Sequence, residues 1–150
     1  MGGEKHSGRD ERITPLRWSP AMIGFMQDPH DLRVWHLARE LSLKVIESLP
    51  LGSTRKVPGL RNQAIRAANS IHENLSEGCR CATRPGFLHF VEIALASLSE
   101  LESQLELARD AGVISVAVYL RLQRDIAMLR RMLLALIRTL KRRISEDENP

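Results

Sequence analysis

Arg124, Arg131 and Arg138 recur every seven residues near the C-terminal end, Arg142 follows four residues later, and Lys141 flanks the series. On a helix such spacing sets the four arginines on one line, because seven residues close almost two turns. A row of guanidinium groups can meet successive phosphates, each contact releasing counterions, so the chemistry on offer is electrostatic binding of nucleic acid. The alternative is a solvated outer face that keeps the protein soluble, since helical bundles turn charged faces to water. The chain has two Trp, one Tyr and three Phe, mainly on apolar faces or near the N-terminus, so bases find little to stack on. Binding would then be led by phosphate and shape, with little sequence preference.

Other polar groups offer less. Asn74, Glu77, Glu100 and Glu102 are the ones to weigh. By helical angle Glu102 aligns with Leu88 and Leu95 on the edge of an apolar face, while Glu100 aligns with Ile93 and Leu107 on its back. An edge carboxylate reads first as an ion-pair partner and only second as a ligand-binding group. Cys79-x-Cys81 with His72 or His89 supplies three soft ligands, but the one-residue gap is not the usual two and no fourth ligand is evident. No metal or other cofactor is therefore expected. None of the histidines His6, His30, His36, His72 and His89 has Glu three residues before it, which excludes the Glu-x-x-His pairs of di-iron bundles. Phosphate-cradling glycine loops and nucleophiles in a recognisable context are also missing, so the sequence argues against an enzyme.

These groups must be positioned by helices. From Phe87 to Ala108 the residues Phe87, Val91, Ala94, Leu98, Leu101, Leu105 and Ala108 alternate steps of four and three, a heptad seam. Leu122, Ile126, Leu129, Leu133, Leu136 and Leu140 repeat the pattern in front of the arginine row. Upstream, Leu60, Ala64, Ala67 or Ala68, Ile71 and Leu75 form a third stripe whose alanines allow close helix approach. In the first helix, running to Leu49, Val34, Trp35, Leu37, Ala38, Leu41, Val45, Ile46 and Leu49 cover about half the circumference, wider than the roughly 100° stripe of a surface helix. The capping chemistry predicts Asp28 or Asp31 at the start of that helix, Gly78 as C-cap of the second, Pro85 at the entrance to the third, Gly112 at its end and Ser115 capping the fourth. Short loops joining four amphipathic helices predict an all-α, up-down-up-down antiparallel four-helix bundle over residues 28–144. Residues 1–27 have no period of either kind and read as a disordered N-terminal tail, and residues 145–150 as an acidic C-terminal tail that frays.

Composition sets the frame. A chain of 150 residues with 43% hydrophobic content makes one domain with a proper core. The net charge of +4 is unevenly spread: residues 113–144 hold eight basic side chains against one acidic, and residues 85–112 hold five acidic against one basic. Two cysteines one residue apart close no useful disulfide loop and indicate a reducing compartment. With no signal peptide and no apolar run long enough to span a membrane, the expected location is the cytoplasm.

Three segments carry a family resemblance: DLRVW (Asp31, Leu32, Val34, Trp35), SIHENLSEG (Ser70, Ile71, Asn74, Glu77, Gly78) and FLHFVEIALASLSELESQLELA, with Glu100 and Glu102 inside it. In order and spacing, over about residues 28–142, they resemble the four-helix-bundle proteins encoded by intervening sequences in bacterial 23S ribosomal RNA. Where that family usually reads Ser-Ile-Pro-Ala-Asn, His72 and Glu73 stand in place of Pro and Ala. The resemblance implies a cytoplasmic bundle assembling as a ring-shaped homopentamer, with a biochemical role largely unassigned. A related branch resembles the accessory proteins of diversity-generating retroelements, basic pentamers that work with a reverse transcriptase and its RNA. Independently, the wide arc of the first helix and Ile93 and Leu107 behind the third favour self-association. Two readings follow: a homo-oligomeric bundle binding structured RNA or ribonucleoprotein through its fourth helix, or a protein-interaction scaffold serving a reverse transcriptase.

Overall fold

The computed structural model describes residues 28–52 and 55–149. The proposed N-terminal tail, residues 1–27, lies outside the described residues. A 3-10 turn at Pro29–Asp31 leads into four helices, α1 (Arg33–Ser48), α2 (Leu60–Cys79), α3 (Arg84–Asp110) and α4 (Val116–Glu148). Among the described residues there is no strand, and no helix is long and apolar enough to cross a membrane.

Contacts between neighbouring helices show that the chain runs up, down, up and down. Between α3 and α4 the pairs are Arg84 with Asp147, Glu92 with Lys141, and Glu102 with Arg130, one number falling as the other rises. The same holds between α1 and α2, where Trp35 meets Ser76 and the Leu49 carbonyl accepts from Arg61. It holds again between α2 and α3, where Ser70 meets Ser97 and Gly78 meets Phe87. Lys44 and Asp125 close the ring of helices by joining α1 to α4.

The heptad seams form the core. Every residue of the Phe87–Ala108 seam is buried, as is every residue from Leu122 to Leu140 in the α4 seam. Leu60, Ala64, Ala67, Ala68, Ile71 and Leu75 of α2 are buried with them, and the alanines let α2 and α3 pack over the most extensive interface. In α1 the arc divides. Val34, Ala38, Leu41, Val45 and Leu49 are buried, whereas Ile46 and its neighbour Leu43 remain exposed.

Three terminal assignments differ from the sequence expectation. Asp28 caps the 3-10 turn instead of α1, accepting from the His30 amide at 2.9 Å. Leu32 stands at the α1 N-cap, where its side chain has no acceptor for a cap bond and is buried in the core instead. Gly78 is not the α2 C-cap. The helix runs through it to Cys79 with Arg80 as cap, and a Cβ at 78 would lie 2.6 Å from Phe87 Cδ2, so the glycine admits α3 rather than ending α2. Finally, α4 does not stop at residue 144 but continues through Glu148, where Asp147 pairs with Arg84 and Glu146 with Arg143. Those pairs turn the acidic segment into the last helical turn.

The remaining signals fall where expected. Pro85 lies in the first turn of α3, Gly112 takes φ 69° after α3, and Ser115 caps α4 by accepting from the Val118 amide at 3.2 Å.

Candidate nucleic-acid interface

Burial of the leucine seam fixes the rotation of α4, and that rotation decides which of its cations reach solvent. Arg130 turns toward α3, where it donates to the Glu102 carboxylate and to Ser99 Oγ at 3.1 Å. Lys141 reaches Glu92 at 3.0 Å, and Arg143 reaches Glu146 at 3.4 Å. These charges are compensated within the chain.

Arg124, Arg131 and Arg138 point the other way. All three are exposed, and none has a carboxylate within ion-pair distance among the described residues. Arg142 continues the line with only a 3.9 Å approach to Glu146, one turn on. Five cations proposed from sequence therefore separate into an unpaired trio, a loosely paired Arg142 and a paired Lys141. Arg121 was missed. It is exposed as well, and the steps 121, 124, 128, 131, 135, 138 and 142 alternate threes and fours, so the signal that finds it is the same periodicity extended one turn back.

Between α1 and α4 a groove of about 430 Å³ is lined by Lys44, Glu47, Ser48, Arg121, Arg124 and Asp125. The hydrogen bond from Lys44 to Asp125, at 2.9 Å, raises the lysine pKa above its ordinary value, and Glu40 at 3.1 Å adds to it. Lys44 is thus held charged beside its carboxylate partners, leaving Arg121, Arg124 and Glu47 as the groove's charges outside an ion pair among the described residues. Leu120, Met128 and Leu134 stand exposed among the arginines, so the face is mixed, with apolar side chains between guanidinium groups.

The motif residues shared with the resembling family do not converge on one site. Half-buried Trp35 donates from Nε1 to Ser76 Oγ at 2.8 Å, with the rings of His30, His36 and His72 centred 4.6, 5.1 and 6.2 Å away. Asn74 Nδ2 donates to the Ser70 carbonyl and hydroxyl, and the Ser70 and Ser97 hydroxyls lie 2.8 Å apart, joining α2 to α3. Glu77 pairs with Arg80 at 3.2 Å on the surface. Glu100 is exposed on the back of α3, where it lines a polar cleft with Arg66, Asn69 and Glu73. Glu102, the edge carboxylate, is the partner of Arg130. Trp35, Gly78 and Glu102 thus serve helix-to-helix registration, and Asn74 holds, within α2, the Ser70 hydroxyl that reaches α3.

Cys79 is buried, which pushes its thiol up to about 11, and Cys81 is half-buried. Both are free thiols, and among the described residues no three His, Cys, Asp or Glu side chains are grouped to hold a metal ion.

The fold is similar to the crystal structure of a protein with unknown function from the S23 ribosomal protein family of Bacteroides thetaiotaomicron VPI-5482, with a TM-score of 0.63 and 23% identity over 69% of this chain and 97% of that one. No curated protein matches the chain. The model of the 23S rRNA-intervening sequence protein family matches residues 30–135, which takes in α1, α2, α3 and the first twenty residues of α4. The chain belongs to the 23S rRNA-intervening sequence protein family.

Proposed function

We propose that this protein is a non-enzymatic, homo-oligomeric helical bundle of the cytoplasm that binds structured RNA or ribonucleoprotein through the outer face of α4. One observation carries the reading. Among the described residues Arg121, Arg124, Arg131 and Arg138 are exposed without carboxylate partners, while Arg130, Lys141 and Arg143 on the same helix are paired. Uncompensated charge on one straight line is what a polyanion requires. Exposed Leu43 and Ile46 on α1 and Leu107 on α3 support self-association, and the family resemblance suggests a ring of five. Repeating a weak basic row around a ring raises avidity without new contacts. The family names make ribosomal RNA the first ligand to try.

Filter binding of a structured 23S rRNA fragment across a salt series tests the reading, with light scattering to count protomers. Wild-type protein should bind with a steep salt dependence, and replacing Arg124, Arg131, Arg138 and Arg142 by Gln should weaken and flatten it without unfolding the bundle. Absence of salt-sensitive binding by the wild type would sink the idea. The exposed Leu120, Met128 and Leu134 favour a second reading, in which α4 docks on a protein such as a reverse transcriptase. Quadruple-Gln protein that still captures a purified reverse transcriptase would support that alternative.

A further inference from the structure

We infer that the α4 row takes double-stranded RNA in preference to single strands, an inference that rests on the RNA-binding reading above. The first ground is geometric. Arg124, Arg131 and Arg138 follow one another at seven residues, about 10.5 Å along a helix, and the row from Arg121 to Arg142 extends about 31 Å. Its backing is rigid, because the seam from Leu122 to Leu140 on the opposite face is buried along the whole length. A straight, stiff row fits a polyanion that is itself straight and stiff. A duplex presents its phosphates on such a scaffold, whereas a flexible strand must be straightened first, at an ordering cost taken from the binding free energy.

The second ground is chemical. Single strands repay their ordering when bases stack on aromatic side chains, and among the described residues this face has none to offer. Tyr119, the aromatic residue of α4, is only 8% exposed, and the Arg109 guanidinium sits 4.3 Å from its ring centroid. The Trp35 cluster lies elsewhere, where α1 faces α2.

Base reading is missing too. Along the outward line the side chains between the arginines are Ala127, Met128, Leu134 and Ala135, none able to hydrogen-bond a base edge, and Thr139, whose hydroxyl donates to the Ala135 carbonyl. That leaves the guanidinium groups, which meet phosphates and read guanine only where a groove exposes its edge. That suits A-form RNA, whose deep, narrow major groove hides the base edges and leaves backbone and shape to be recognised. The row would therefore bind paired stems without regard to their sequence.

The test uses the full chain against two probes of equal nucleotide number, a perfectly paired RNA stem and an unstructured oligouridine, titrated at several salt concentrations. The stem should bind at least about tenfold more tightly, stems of different sequence should bind alike, and Arg124→Gln/Arg131→Gln/Arg138→Gln should lower the stem's log–log salt slope by about 3. Circular dichroism verifies that the variant stays folded. Oligouridine binding as tightly as the stem overturns the duplex preference while leaving RNA binding through α4 intact, whereas a triple variant with the wild-type slope overturns α4 as the contact face and the inference with it. Binding of neither probe overturns the RNA reading itself, and the duplex preference with it.

Discussion

Gly78 and Phe87 lie so close that a Cβ on Gly78 would sit 2.6 Å from Phe87 Cδ2 and 3.1 Å from both Phe87 Cε2 and Phe90 Cβ. The missing side chain of α2 is the space into which the first turns of α3 settle, at the end of the bundle where the two helices join. A glycine inside a helix costs about 1 kcal/mol relative to alanine, so this close approach has to outweigh that loss.

Gly78→Ala should accordingly destabilise the protein despite its better helix propensity. Overpacking of this kind costs about 1–3 kcal/mol, leaving a net loss of up to about 2 kcal/mol. Urea denaturation reads it, and a Gly78→Ala/Phe87→Leu double variant should recover part of the loss through coupling. A Gly78→Ala protein more stable than the wild type would mean that the helices are not in tight contact there.

Arg130 and Arg131 are adjacent in sequence and opposite in role. Arg130 and Glu102 are each about a third exposed, so Arg130→Gln should cost about 0.5–1 kcal/mol of stability and leave RNA affinity unchanged. Arg131→Gln should stay within about 0.5 kcal/mol of wild-type stability and weaken RNA binding. Melting and filter binding on the two single variants check the crossover. Equal loss of RNA binding from both would show that the ion pair does not divide the α4 charges.

His72 makes stability depend on pH. Burial lowers its pKa below the ordinary 6.5, Arg39 acts in the same direction, and Glu73 opposes them. Below that value the unfolded chain holds the proton more readily than the folded one. Its contribution is fully present above about pH 6.5 and is lost as pH falls toward the depressed folded value. Urea midpoints measured from neutral pH to about pH 5 should decline, and His72→Gln should make the decline shallower. An unchanged slope in the variant would assign the pH dependence to other groups.

The two cysteines should react in order. With its thiol pushed up to about 11 by burial, Cys79 is protonated at neutral pH, and the thiolate is the reactive species. In native protein, iodoacetamide should modify the half-buried Cys81 and spare Cys79 until denaturant is added. Peptide mass spectrometry distinguishes the sites, and rapid native labelling of Cys79 would contradict its burial.

Much of the architecture was legible in the residues themselves. An apolar seam has the 3.6-residue period of the helix that carries it, so the core positions of α2, α3 and α4 could be read from local spacing alone. Ser115, Pro85 and Gly112 marked helix ends for equally local reasons. Gly78 did not, because a glycine that ends a helix and one that admits a neighbouring ring look alike until the neighbour is in place. The C-terminal end of α4 escaped for the same reason, since Arg84, which pairs with Asp147, is 63 residues away along the chain. For the candidate interface, spacing alone determined that arginines line one side of a helix. Which of α4's cations stay unpaired among the described residues was decided by tertiary structure, because the packed rotations of α3 and α4 together bring Glu102 to Arg130 and Glu92 to Lys141 while leaving Arg124, Arg131 and Arg138 exposed.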